Sequence, residues 1–199
     1  AHAMTAEVLE APAVAAEWGA VWLELALCER DPALAQRALA TFSDGHNANG
    51  FYFSRSVMEG WAARARGDNA AAGKAFTAAR VEVEQAVRDQ PDYGPPLCML
   101  GLVDAGLGRK EEAMREGRRA VELCPVTKDA LTGSETMVFL SVIYAWSGEK
   151  ALAVEQVAAT LQVPSLLTYG RLRLHPFWDP LRGDPEFERI VASLAPKDR

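Results

Sequence analysis

Apolar residues recur three and four positions apart along most of the chain, which is the spacing of one helical face. From Ala13 to Glu29 the run is apolar at that spacing. Asp31-Pro32 then opens a second helix through Phe42, with proline at the first position, where its missing N–H costs nothing. Ala35 and Leu39 take the packing positions. The stretch Ser43 to Gly50, S-D-G-H-N-A-N-G, reads as a flexible turn separating this unit from the next.

Three further helical pairs follow. In Leu97 to Pro125, Leu97, Leu100 and Gly101 lie in the first helix, Leu107-Gly108-Arg109 makes the turn, and Ala113, Ala120 and Pro125 mark the second helix and its end. The preceding segment repeats this, Gly60 standing for Gly101 and Gly67 for Gly108, with Ala72, Phe76 and Ala79 in the second helix. No breaker lies between Lys74 and Gln90, so that helix is expected to run on by about two turns. The third copy is expected to start at Ser134 as N-cap, with Met137, Leu140, Ser141 and Tyr144, the turn at Gly148, then Ala153, Val157, Thr160 and Pro164. In the tail, Ser165 to Leu174 can form a helix. His175 to Pro185, with three prolines and a glycine, is read as a non-helical ordered loop that buries Phe177, Trp178 and Leu181. Asp184-Pro185 caps a last helix whose apolar stripe is Phe187, Ile190, Val191 and Leu194.

The expected organisation is therefore all-α: a degenerate hairpin over 5–50, three hairpins over 51–164 (51–93, 94–125 and 134–164), and capping helices with a loop over 165–199. The opening Ala1-His2-Ala3-Met4 reads as a cloning remnant. A lone hairpin cannot bury its apolar stripe, whereas stacked hairpins share a continuous core.

The Leu97–Pro125 segment closely resembles the tetratricopeptide signature, in which a small residue, a turn, two alanines and a closing proline fall at fixed offsets. The copies are longer than the usual period of about 34 residues. Asp104 and Gly117 stand where that family commonly has large or aromatic residues. The phrases A-F-T-A-A-R (Ala75–Arg80), G-L-G-R-K-E-E-A (Gly106–Ala113) and W-D-P-L-R-G-D-P-E-F-E (Trp178–Glu188) resemble the C-terminal repeat region of large bacterial signalling proteins. In those, a Ser/Thr-kinase-like or winged-helix module often precedes the repeats. The resemblance implies a right-handed array of antiparallel hairpins, cut from a longer polypeptide and binding protein segments.

Composition narrows the function. About half the chain is apolar and aromatics are few, which suits closely packed helices. The net charge of -6 makes a poor polyanion binder, and the basic residues Arg109, Lys110, Arg115, Arg118 and Arg119 are interleaved with Glu111, Glu112 and Glu116, the pattern of a solvated helix face. No nucleic acid is expected as partner, and no run approaches the roughly 20 apolar residues that span a membrane. Cys28, Cys98 and Cys124 sit far apart in helical contexts and read as buried thiols, so a cytoplasmic location is expected. His2, His46 and His175 are too dispersed for a zinc site, and Asp44, His46, Asn47 and Asn49 lack the spacing of a calcium loop. No metal or cofactor is expected. There is no glycine-rich phosphate loop, no H-R-D or D-F-G, and no nucleophile paired with a base, so no catalytic residue is assigned.

Projecting the repeat register onto the inner surface gives Trp61, Arg64 and Ala65 from one hairpin. The next gives Cys98, Met99, Leu102 and Ala105, and the last Val138, Phe139, Val142 and Trp146. The candidate partner-binding residues are Trp61, Arg64, Met99, Leu102, Phe139, Val142 and Trp146. They either form an apolar groove for a peptide or helix, or pack against the neighbouring hairpin and tail; register alone leaves both open. The expected function is a protein-interaction or regulatory repeat module of a signalling protein, its partner a protein segment or another domain of the same parent chain. Self-association that sets the parent's oligomeric state, as in a homodimer, is the alternative. A hydrolase built on helical repeats is a third, distant reading.

Overall fold

The computed structural model describes residues 12–42 and 44–196; Ala1-His2-Ala3-Met4, the expected start of the first unit at residue 5, Ser43 and the last three residues lie outside the described residues. The chain is mostly helical. In order come α1 (Pro12–Glu29), α2 (Pro32–Leu39), strands β1 (Gly45–Ala48) and β2 (Phe51–Ser54), α3 (Arg55–Ala65), α4 (Asn69–Asp89), α5 (Gly94–Gly106), α6 (Lys110–Leu123), α7 (Ala130–Trp146), α8 (Lys150–Thr160) and α9 (Tyr169–Leu174). A 3-10 helix (Pro176–Leu181) and α10 (Pro185–Ser193) close it.

Aspartates cap four of the helices. Asp31 accepts from the N–H groups of Ala33 and Leu34, Asp68 from Ala71, Asp129 from Leu131 and Thr132, and Asp184 from Glu186 and Phe187, at 2.9–3.1 Å. The turns inside the hairpins α3–α4, α5–α6 and α7–α8 are alike. Gly67, Gly108 and Gly148 each sit at a positive φ of 77–81°, and the next residue's N–H reaches back to the carbonyl of Ala63, Asp104 or Tyr144 at 2.9–3.0 Å. Only glycine enters that region without a Cβ penalty. The first hairpin puts Arg30 there instead, at φ 58°.

Paired helices run antiparallel. Gly94, early in α5, faces Ala120 and Cys124 late in α6, while Gly101 faces Ala113 and Gly117. A Cβ on Gly101 would lie 2.9 Å from the Ala113 carbonyl oxygen, so the two backbones touch where the small residue was expected. α5 packs against α4 and α6, and α7 packs against both helices of the α5–α6 hairpin. Two apolar clusters result. The larger runs from Phe51 and the Val57–Ala63 side of α3 to α10; the smaller joins α1, α2 and the Met58–Ala62 side of α3, and Phe53 and Trp61 pack against both.

Four local expectations are corrected. Gly45–Ala48 and Phe51–Ser54 form an antiparallel β-hairpin, not a flexible turn and the start of a helix, because Asn49 and Gly50 both take positive φ (52° and 81°) and close a two-residue turn of the hairpin type. Helix α7 starts at Ala130, since Asp129 caps it; Ser134 lies inside the helix, its hydroxyl donating to the Leu131 carbonyl. The helix expected over 165–174 is confined to α9, capped by Thr168. The proline-rich stretch after it makes a six-residue 3-10 helix and not a non-helical loop, with Pro176 at its start, where no intrahelical N–H is needed; Phe177, Trp178 and Leu181 are buried as expected.

Candidate functional site

The seven groove candidates lie on α3, α5 and α7, and the structure brings them together. Met99, Leu102, Phe139 and Val142 are buried, as are Cys98, Ala105 and Val138; Trp61, Arg64 and Trp146 are half-buried. What covers them is the chain itself. Phe177, from the 3-10 helix, meets Trp61 and Trp146 edge-on at centroid distances of 5.1 and 5.4 Å. The Trp146 indole N–H donates to the Phe177 carbonyl at 3.2 Å. From the other side Phe51 tilts against Phe139 at 5.2 Å. The Arg64 guanidinium lies 4.2 Å over the Trp146 ring, and burial holds its pKa below the usual value against the pull of Asp179. Of the two readings the register left open, Leu102 and Val142, both fully buried in the larger apolar cluster, follow core packing.

Three openings remain beside these residues. A recess of about 210 Å³ is bounded by Trp61, Arg64, Trp146 and Phe177. A cleft of about 620 Å³ between the β-hairpin and the α4 and α5 helices has Met99 among its lining residues. The third, about 330 Å³, lies between α1, the β-hairpin, α3, α7 and α9. Its walls are mainly apolar: Leu23 and Leu27 from α1, Met58 and Trp61 from α3, Phe53 from β2 and Phe139 from α7, with Phe177 beside them. Val21, 53% exposed, and Leu166, 42% exposed, stand among its lining residues where solvent reaches them.

This third cleft carries charge in its wall. Glu135, the single charged residue of the 17-residue α7, is 4% exposed; its Oε2 has no hydrogen-bond partner among the described residues. The nearest cation is Arg171 of α9, with Nη1 3.9 Å from Glu135 Oε1. Arg171 is already engaged: its Nε donates to Glu24 of α1 at 2.9 Å. Burial, with a smaller push from Glu24, raises the Glu135 pKa against the opposing pull of Arg171. His175 lies behind this group. Its Nδ1 accepts from the Phe177 N–H at 3.2 Å, its Nε2 is 3.6 Å from Glu24 Oε2, and burial with nearby arginines brings its pKa down to about 3, so it is neutral.

Neither Glu135 nor Arg171 was singled out from the sequence. The available signal was a lone acid in the otherwise uncharged run from Ala130 to Trp146, since a carboxylate on an all-apolar helix must be buried with it. The cysteines offer no thiolate: burial pushes Cys28 up to about 11 and raises Cys98 further. Among the described residues no three His, Cys, Asp or Glu side chains gather as a metal site, and no helix is long and apolar enough to cross a membrane. No family model, no curated protein and no solved structure matches the chain.

Proposed function

We propose that the protein is a non-catalytic interaction module, a tetratricopeptide-like array of helical hairpins that receives an apolar segment of a partner protein. The observation that carries this reading is the 330 Å³ cleft, where Trp61 and Phe139, two of the groove residues given by the repeat register, meet an opening edged by exposed Val21 and Leu166. Phe51 and Phe177 of the chain itself pack on Phe139 and Trp61, and of the three openings left beside the groove residues this cleft is the one that both Trp61 and Phe139 line. Aromatic and aliphatic walls of this kind are the usual anchors for a peptide's apolar side chain. Three hairpins with the same glycine turn, Gly67, Gly108 and Gly148, support the array reading.

Selection of peptides from a random display library tests it. Peptides with an apolar anchor should be enriched on the wild-type chain and lose affinity at least tenfold on Val21→Asp and Leu166→Asp, two exposed positions whose change leaves the core alone. Enrichment of peptides indifferent to both substitutions would move the function elsewhere.

A second reading has its own observation. Helix α1 is apolar on both faces: Leu23, Ala26 and Leu27 are buried, while Trp18 is 49% exposed and Val21 53%, three residues apart on the other face. Self-association through that face would appear in light scattering as a mass that rises with concentration and falls back in Trp18→Glu.

A further inference from the structure

We infer that the cleft between α1, α7 and α9 is a site for a primary amine carried on an apolar body, with the ammonium seated against Glu135. This rests on the reading of the cleft as a binding surface and adds the chemistry of its occupant. The first ground is the Glu135 carboxylate, whose side chain is only 6% exposed, which lines the cleft and leaves Oε2 without a hydrogen-bond partner among the described residues. A buried acceptor with no donor is costly, and a ligand N–H that reaches it removes that cost.

The second ground is the charge count. Glu24 and Glu135 both line the cleft, and among the described residues that line it one cation, Arg171, faces them; its guanidinium is hydrogen-bonded to Glu24 and stands off Glu135 at 3.9 Å. His175, neutral in its buried position, adds no positive charge. The wall therefore lacks one cation when both acids are ionised. A bound ammonium supplies it, and a neighbouring positive charge favours the carboxylate form of Glu135. A ligand carboxylate would instead meet the buried Glu135 as a like charge.

The third ground is the shape of the rest. Phe53, Trp61, Phe139 and Phe177 present aromatic surface to the same space, which favours both an apolar body and a nearby cation. A volume of about 330 Å³ is at the lower end of small-molecule sites, large enough for one ring and a short chain. The same chemistry can come from a free arylalkylamine or from a lysine flanked by aromatic residues.

Isothermal titration of the full 199-residue chain decides it. The probes are 3-phenylpropylamine, its acid counterpart 3-phenylpropanoate, and an N-acetylated peptide Phe-Lys-Phe with its lysine free or acetylated. The amine should bind at least tenfold more tightly than the acid. Glu135→Gln should cut amine binding at least tenfold and leave the acid no weaker. Val21→Trp, at an exposed position of the cleft, should weaken both. Tighter binding of the free-lysine peptide than of its acetylated form assigns the amine to a protein segment; binding of 3-phenylpropylamine alone assigns it to a small molecule. Equal binding of amine and acid overturns the inference, as does amine binding untouched by Glu135→Gln or no binding of either probe. If equal binding is lost in Val21→Trp, the apolar cleft stands and only the amine chemistry falls. If Glu135→Gln does not fold, the amine-to-acid ratio on the wild type still decides.

Discussion

Glu116 shows how a single buried acid in this array shapes stability. It lies on α6, 9% exposed, with Oε2 unpartnered among the described residues. Burial raises its pKa from 4.5 to about 7, and neighbouring Asp104 adds to the rise. Because the folded state holds the proton more tightly than the unfolded chain, this contribution is complete below about pH 4.5 and is lost as pH rises through 7. Glu116→Gln keeps a neutral group at every pH. Urea titrations should show the stability difference between variant and wild type shifting in the variant's favour by about 1–3 kcal/mol between pH 5 and pH 8. A difference that does not change with pH would mean that Glu116 is ionised throughout. Asp104 beside it was legible only as a departure from a family pattern. In the structure it is fully buried and pairs with Arg80 at 2.7 Å and Arg109 at 3.3 Å, so the buried carboxylate is held by two guanidinium groups. No local pattern in the sequence joins Arg80 to Asp104, because they lie on different hairpins.

Elements were more legible than side-chain pairs, where their cause was local. The helix starts at Asp31 and Asp184 followed from an acid before a proline, and the long α4 from the absence of breakers. The β-hairpin was missed although Asn49-Gly50 is a strong two-residue turn signal, because its strands are only four residues long and Gly45–Ala48 has no apolar alternation. Gly50 is fixed in that turn at φ 81°, and a Cβ there would lie 2.8 Å from the Thr132 hydroxyl oxygen. Gly50→Val should cost about 1–3 kcal/mol in thermal unfolding, through left-handed backbone and this clash together. At the far end, Trp178 is 2% exposed and stacks near Phe187. Trp178→Ala should cost about 3–5 kcal/mol by leaving a cavity. A loss below 1 kcal/mol would show that the 3-10 segment is not fastened to the array. Removal of residues 165–199 should bare Trp61, Phe139 and Trp146, and a rise in binding of an apolar dye would report it.

At the scale of the whole molecule, which residues of the inner face stay open was not legible. The repeat register placed Trp61, Arg64, Met99, Leu102, Phe139, Val142 and Trp146 near one another. Which of them solvent reaches depends on Phe177, 116 residues beyond Trp61 in the chain, and on a hairpin that the pattern did not show. The same closure joins the ends of the described chain: Arg30 after α1 forms a two-pronged ion pair with Asp179 of the 3-10 helix at 2.6 and 2.7 Å, and Glu24 pairs with Arg171. These contacts hold α1 beside the C-terminal segment and so form the cleft. Both pairs are partly exposed, so each contributes about 1 kcal/mol or less to stability; their effect is on the position of α1. Arg30→Ala should therefore leave thermal stability within about 1 kcal/mol and weaken cleft binding.

The measurement that tests the central claim most directly is amide chemical-shift mapping by NMR as a library-selected peptide is added to the wild-type chain. The proposed module predicts shifts gathered on α1, the β-hairpin, the first half of α7 and α9, with those of α6 unmoved. Shifts centred on α4 and α6, or none at saturating peptide, would contradict it.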